Sequence, residues 1–184
     1  MCYYTAYTGV SLAEAIEESF GGEVGIKWVN DCYMKGRKVA GILTEAALLP
    51  GTDIPAYVAI GIGVNIAPQR FEGELSHTAG TLSECCKTSP DAELLAERVA
   101  RALFALSERP RGEVMDAYRR RSVLLGKEVT VVKADVERVA LATDILDSGE
   151  LVVSYGDGMT EVISSGDVRV KIAVDDNEGL QNNT

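Results

Sequence analysis

The sequence predicts an α+β fold, a helix-covered sheet followed by a small β-barrel, and three observations support it. Val10, Ala13, Ile16 and Phe20 recur at helical spacing and stop at Gly21-Gly22. Three apolar runs follow, near residues 24–28, 38–48 and 56–66, before two helical stretches. Beyond Leu125 the chain changes to five short β-rich runs separated by turn residues. Strands followed by helices indicate a sheet with helices layered over one face. Several short strands in so little chain indicate a closed barrel, since closure removes sticky edges.

In chain order, Thr8 is placed to cap a helix that runs to about Phe20. The stretch KWVNDCYMKGRKVAGILTEA then reads as two strands. The first ends in Trp28-Val29-Asn30-Asp31, Lys35-Gly36 make the turn, and the second is Lys38 to Glu45. Lys27, Asn30, Asp31, Arg37 and Lys38 surround an apolar strand. Polar groups in that setting cost free energy unless each finds a partner, so they sit at a wet edge or face a ligand. A loop from Leu49 to Ile54 leads to a third strand, AYVAIGIGVNI at 56–66, and residues 67–89 read as irregular. Pro90-Asp91 open an amphipathic helix to about Ser107, and Gly112–Arg121 form another. The barrel strands are KEVTVVKA, RVALATDIL, ELVVSY, TEVIS and DVRVKI, with turns at Ala134-Asp135, Asp147-Ser148-Gly149, Gly156-Asp157-Gly158 and Ser165-Gly166. The polar tail DDNEGLQNNT predicts disorder.

Bulk properties exclude several function classes. The 184 residues are 46% hydrophobic and 25% charged, ordinary for a globular chain with a real core. No stretch has the apolar length to span a bilayer and no leader pattern stands at the N-terminus, so no membrane association and a cytoplasmic location are expected. Cys2, Cys32, Cys85 and Cys86 form no C-x-x-C pair, and His77 is the one histidine, so no metal-ligand set is read. A net charge of −10 disfavours nucleic acid. Arg109, Arg111 and Arg119–Arg121 read as a solvated basic face.

Single motifs are weak. A Trp beside a turn usually anchors a core, and GIGVNI at 61–66 is not a dinucleotide fingerprint, since position 66 is Ile and no helix follows. Together they are specific. Lys27-Trp28-x-Asn30-Asp31, then Arg37-Lys38-Val39-Ala40-Gly41-Ile42-Leu43 with Glu45, then Gly61-Ile62-Gly63-Val64-Asn65-Ile66, resemble the biotin–protein ligase family in order and spacing. SGDVRVK resembles that family's closing strand, and the resemblance covers about residues 5–171.

The resemblance implies a class II synthetase-like mixed sheet with helices, N-terminally truncated, and a C-terminal SH3-like β-barrel. It places a partial catalytic domain at 1–124, the barrel at 125–172 and a tail at 173–184. It implies that biotin and MgATP give biotinyl-5′-adenylate and pyrophosphate, and that a lysine of a biotin carboxyl carrier domain then attacks the acyl-adenylate. Carried over by position, Lys38 would bind the biotin carboxylate and α-phosphate oxygens, and a lone ammonium there stabilises charge developing on both. Lys27 would reach the outer phosphates. Asn30 and Asp31 would orient the adenylate, Mg²⁺ or the incoming lysine. Gly61 and Gly63 would let the sheet approach the flat biotin, with Leu43 as apolar cover. Trp28 and Asn65 would lie at the nucleotide, and Lys171 near the triphosphate.

Two parts of the family pattern have no counterpart in these residues: the loop G-R-G-R-x-G-R and a Ser-Thr-Asn segment that helps hold biotin. The expectation is therefore a ligase polypeptide that lacks its N-terminal part, with that half and a second copy of the chain as candidate partners. Val29 also stands where many members have proline. A non-catalytic binding or dimerisation relative and a lipoate or octanoate acyl ligase are the alternatives; the residues around Lys38 favour the biotin branch. No helix-turn-helix is read.

Overall fold

The computed structural model describes residues 2–52, 54–164 and 168–172, with backbone alone at 106 and 168–172. Helix α1 spans Cys2–Phe20 and is buried along most of its length. Thr8 is not its cap. The helix begins six residues earlier, and Thr8 lies in its interior, donating Oγ1–H to Tyr4 O at 2.8 Å. Gly21 and Gly22, with φ of 73° and 101°, end the helix as the sequence predicted.

The first sheet has order β1-β2-β3-β4: Gly25–Lys27, Asp31–Met34, Arg37–Leu48 and Pro55–Val64. Its ladders are antiparallel, and isolated parallel bridges join Ile26 to Ser122 and Lys38 to Ala79. The strand expected to end at Asp31 is in fact two, because the chain turns at Trp28–Asn30. The peptide between Trp28 and Val29 is cis. Distant groups hold this turn: Tyr118 Oη donates to Val29 O at 2.9 Å, while Asn30 Nδ2 donates to Ile42 O and Ile42 N to Asn30 O, each at 2.9 Å.

The stretch read as irregular carries two single-turn helices, α2 at Leu75–Thr78 and α3 at Leu82–Cys85, the latter opened by a Thr81–Glu84 capping box. Helix α4 is Ala92–Leu106, capped by Asp91, whose Oδ1 accepts from Leu94 N at 2.7 Å. Helix α5 is Arg111–Arg121. Among the described residues no helix is long and apolar enough to cross a membrane.

The second sheet holds β5 to β9, at Glu128–Lys133, Val136–Ile145, Leu151–Tyr155, Thr160–Ile163 and Val168–Ile172, in the order β8-β7-β6-β5-β9. Ala134 and Asp135, at φ 48° and 61°, make the tight β5–β6 turn. The expected turn at Ser165-Gly166 and the expected tail at 173–184 lie outside the described residues, as does the Lys171 side chain. Lys171 pairs by backbone with Thr130.

Arg111 and Arg120 are exposed, but Arg109, Arg119 and Arg121 are half-buried and paired. Arg109 pairs with Glu14 at 3.3 Å, Arg121 with Glu17 at 2.8 Å, and Arg111 lies 4.1 Å over the Tyr3 ring. Arg119 bonds Asp116 at 2.8 Å, Asp147 at 2.5 Å and Ile145 O at 2.6 Å. Acidic partners on α1 and the β6–β7 turn, invisible in local sequence, convert the cluster into ties between α5 and its neighbours.

Candidate active site

The back of the first sheet packs on α1 and α4, burying Val39, Ala40, Ile42, Leu12, Ile16, Leu95 and Val99 in one core. The other face is open, and there one row crosses all four strands: Lys27 opposite Asp31, Asp31 opposite Gly41, Gly41 opposite Gly63. The next row on that face pairs Leu43, 63% exposed, with Gly61.

Lys38 reaches the same face through a β-bulge. Cys32 pairs with Ala40 and Tyr33 with Lys38, so Val39 is the extra residue. Residues three apart on a regular strand point to opposite faces. The bulge cancels that offset and brings Lys38 over Gly41, where a Cβ would lie 3.5 Å from Lys38 Nζ and 3.6 Å from Asp31 Oδ1. Lys38 Nζ meets Asp31 Oδ1 at 2.6 Å, with side chains 42% and 21% exposed. The ammonium is thus held by one carboxylate and still faces solvent. Asp31 also adds to burial in raising the Cys32 thiol to about 12.

Gly41, Gly61 and Gly63 do not owe their identity to backbone conformation, since none has φ in the left-handed region. Crowding does not demand them either: Cβ atoms at Gly61 and Gly63 would meet described neighbours at 3.8 Å or beyond. What they leave is a flat shelf of backbone beside a lysine–aspartate pair.

The remaining expected residues separate. Asn30 stands beside the row but spends its amide on Ile42 O, fixing the turn to β3. Asn65 donates Nδ2 to Gly80 O at 3.1 Å, just past the end of β4. Trp28 is 7% exposed, belongs to the core, and donates Nε1–H to Gly149 O at 2.9 Å. The indole is thus committed to the core and to the turn at Gly149. Gly41, Tyr118 and Gly149 were missed. For Gly41 a signal existed, a third glycine on the same strand pair; for the other two none did. A separate apolar groove of 480 Å³ between β4 and α4, lined by Leu12, Ile62, Val64, Leu95 and Val99, lies behind the sheet and offers no charged group.

Comparison with known proteins identifies the family. The Biotin/lipoate A/B protein ligase family matches residues 1–65, and the Biotin protein ligase C terminal domain matches residues 124–171, together more than half of the chain. The biotin–[acetyl-CoA-carboxylase] ligase of Mycobacterium tuberculosis is 35% identical over 152 residues, covering 79% of this chain and 53% of that protein. The bifunctional ligase/repressor BirA of Escherichia coli is 27% identical, covering 90% and 52%. The chain thus spans about half the length of these curated relatives. In fold it resembles the biotin protein ligase of Aquifex aeolicus, with TM-score 0.80 at 22% identity over 94% of this chain and 76% of that one. The chain belongs to the biotin protein ligase family.

Proposed function

We propose that this chain supplies the sheet side of an ATP-dependent biotin–protein ligase site. The observation that carries the reading is the row Lys27–Asp31–Gly41–Gly63 with the Lys38 ammonium above it. The Gly41–Gly63 shelf is a cradle that side chains would fill, and it suits a flat fused ring with Leu43 as cover. The Lys38 ammonium binds the ligand carboxylate and one α-phosphate oxygen. The carboxylate oxygen attacks α-phosphorus, pyrophosphate leaves, and the charge gathered at phosphorus falls beside Lys38; one such donor is commonly worth roughly 3–4 kcal/mol. A carrier-domain lysine amine then attacks the acyl carbon and AMP leaves, with Asp31 placed to take the amine proton. Lys27, one strand out, faces the β- and γ-phosphates, and Asn65 and Lys171 serve the nucleotide. Mg²⁺ enters with ATP, as part of the substrate. In this reading residues 1–124 are the catalytic portion and 125–172 the barrel.

A second reading is a binding relative without turnover. These 184 residues hold neither G-R-G-R-x-G-R nor a Ser-Thr-Asn segment. The deciding experiment is biotin transfer to a biotin carboxyl carrier domain, run with the chain alone and with a polypeptide bearing those two elements. Label should appear with the added polypeptide and vanish with Lys38→Ala. Biotin binding without transfer under both conditions would select the second reading, and faster labelling of a lipoyl domain would move the substrate to lipoate or octanoate.

A further inference from the structure

We infer that the β6–β7 turn of the second sheet positions the nucleotide side of the site, through the contact between Gly149 and Trp28. Four bonds converge on the short segment that joins β1 to β2. Trp28 Nε1 donates to Gly149 O at 2.9 Å, Tyr118 Oη donates to Val29 O at 2.9 Å, and Asn30 exchanges two bonds with Ile42. Lys27 immediately precedes this segment and Asp31 immediately follows it, so whatever moves Trp28–Asn30 moves both charged residues of the row.

The β6–β7 turn is itself fixed from two sides. Arg119 of α5 holds Asp147 at 2.5 Å and Ile145 O at 2.6 Å. Gly149, at φ 95°, sits so tightly on the start of α1 that a Cβ would come within 2.6 Å of Cys2 C and 2.7 Å of Tyr3 N. A buried hydrogen bond to a turn this constrained sets the height of the indole, and the indole sets the segment. The β3–β4 shelf has its own support from α1 and α4 and does not touch this turn. The turn therefore tunes the Lys27–Asp31 end and leaves the Leu43–Gly61 end alone. Gly149 and Trp28 are positioning residues; neither touches substrate.

Amide hydrogen exchange on the full chain, without ligand, tests this. Two variants are used: Gly149→Ala, which pushes the turn away, and Trp28→Phe, which keeps an aromatic ring and deletes the donor, so that a misfolded Gly149→Ala protein does not end the test. Exchange at the Ile42 amide, bonded to Asn30 O, should rise about tenfold, the size of one lost buried hydrogen bond, while the Leu43–Gly61 ladder stays protected. Trp28 is the sole tryptophan, and its emission should shift to the red in Gly149→Ala. An unchanged Ile42 amide in both variants, or loosening spread equally over β3 and β4, overturns the inference. The functional consequence rests on the ligase reading: KM for ATP should rise about tenfold, again one hydrogen bond's worth, and by more than KM for biotin. A chain that binds neither ligand would defeat the ligase reading, while the exchange result would still decide this one.

Discussion

Gly41 and Gly63 face each other across β3 and β4, and neither backbone conformation nor crowding requires a glycine at either place. In a strand interior glycine is otherwise unfavourable by about 0.5–1 kcal/mol relative to alanine. Gly41→Ala places its methyl in ordinary contact, 3.5 Å from Lys38 Nζ, so the fold tolerates it. The expected outcome for Gly41→Ala and Gly63→Ala is an unchanged or slightly raised Tm together with weaker biotin binding, by about tenfold or more, since a methyl lifts a flat ligand off a shelf with no slack. Calorimetry beside thermal melts checks this; variants that unfold, or that bind biotin as the parent does, would show the glycines to be there for the fold. At this scale the sequence was partly readable. Asp31, Lys38, Gly61 and Gly63, which the family resemblance singles out, lie together on the open face of the first sheet. Gly41 was overlooked because it lies three residues from Lys38, and only the cross-strand bulge at Val39 puts the two on one face.

Among elements, the clearest electrostatic unit is the end of the second sheet where β5, β7 and β8 meet. Tyr155 Oη donates to Glu161 at 2.6 Å, Lys133 Nζ meets the same carboxylate at 3.0 Å, and Arg138 lies 3.8 Å over the Tyr155 ring. The Tyr155 bond foremost, then Lys133, holds Glu161 below its ordinary value of 4.5, while burial first and this carboxylate second push Tyr155 up to about 12. A carboxyl lowered in the folded state binds its proton more readily once unfolded. Its contribution is therefore full above 4.5 and is lost as pH falls through the lowered folded value. Melts from pH 6 to pH 2 should fall less steeply below about 4.5 for Glu161→Gln than for the parent, the range set by the carboxylate reference; parallel curves would show the carboxylate contributes nothing there. Element type was legible wherever one period ran long: α4 and its Asp91 cap, β3, β4 and the five strands of the second sheet. It failed where tertiary partners decide. The turn at Trp28–Asn30 is held by groups 89 and 121 residues away, and Thr8 looked like a cap because Cys2–Tyr7 has no apolar periodicity to announce a helix.

On the scale of the whole molecule the two sheets share a core. One buried cluster joins Ala6 and Val10 of α1, Ile26 and Trp28 at the site, Val114, Met115 and Tyr118 of α5, and then Leu124, Val129, Val131, Ala142, Ile145, Leu151 and Val153 beyond. Near residue 124, where the sequence pattern changes, Leu124 is fully buried among residues from both sides. Helix α1 extends the argument, because its first half lies in this cluster and its second half in the core behind the first sheet. Units that share a core of this kind unfold together. Urea unfolding followed by Trp28 emission, which reports the junction, and by far-ultraviolet circular dichroism, which reports every element, should give coincident midpoints. Leu124→Ala should lower both together, by about 2–5 kcal/mol for a leucine cut back in a closed core. Two separated transitions, with Leu124→Ala moving only one, would show that the barrel is held by its own strands and that its turn has no fixed purchase on the Lys27–Asp31 end of the site.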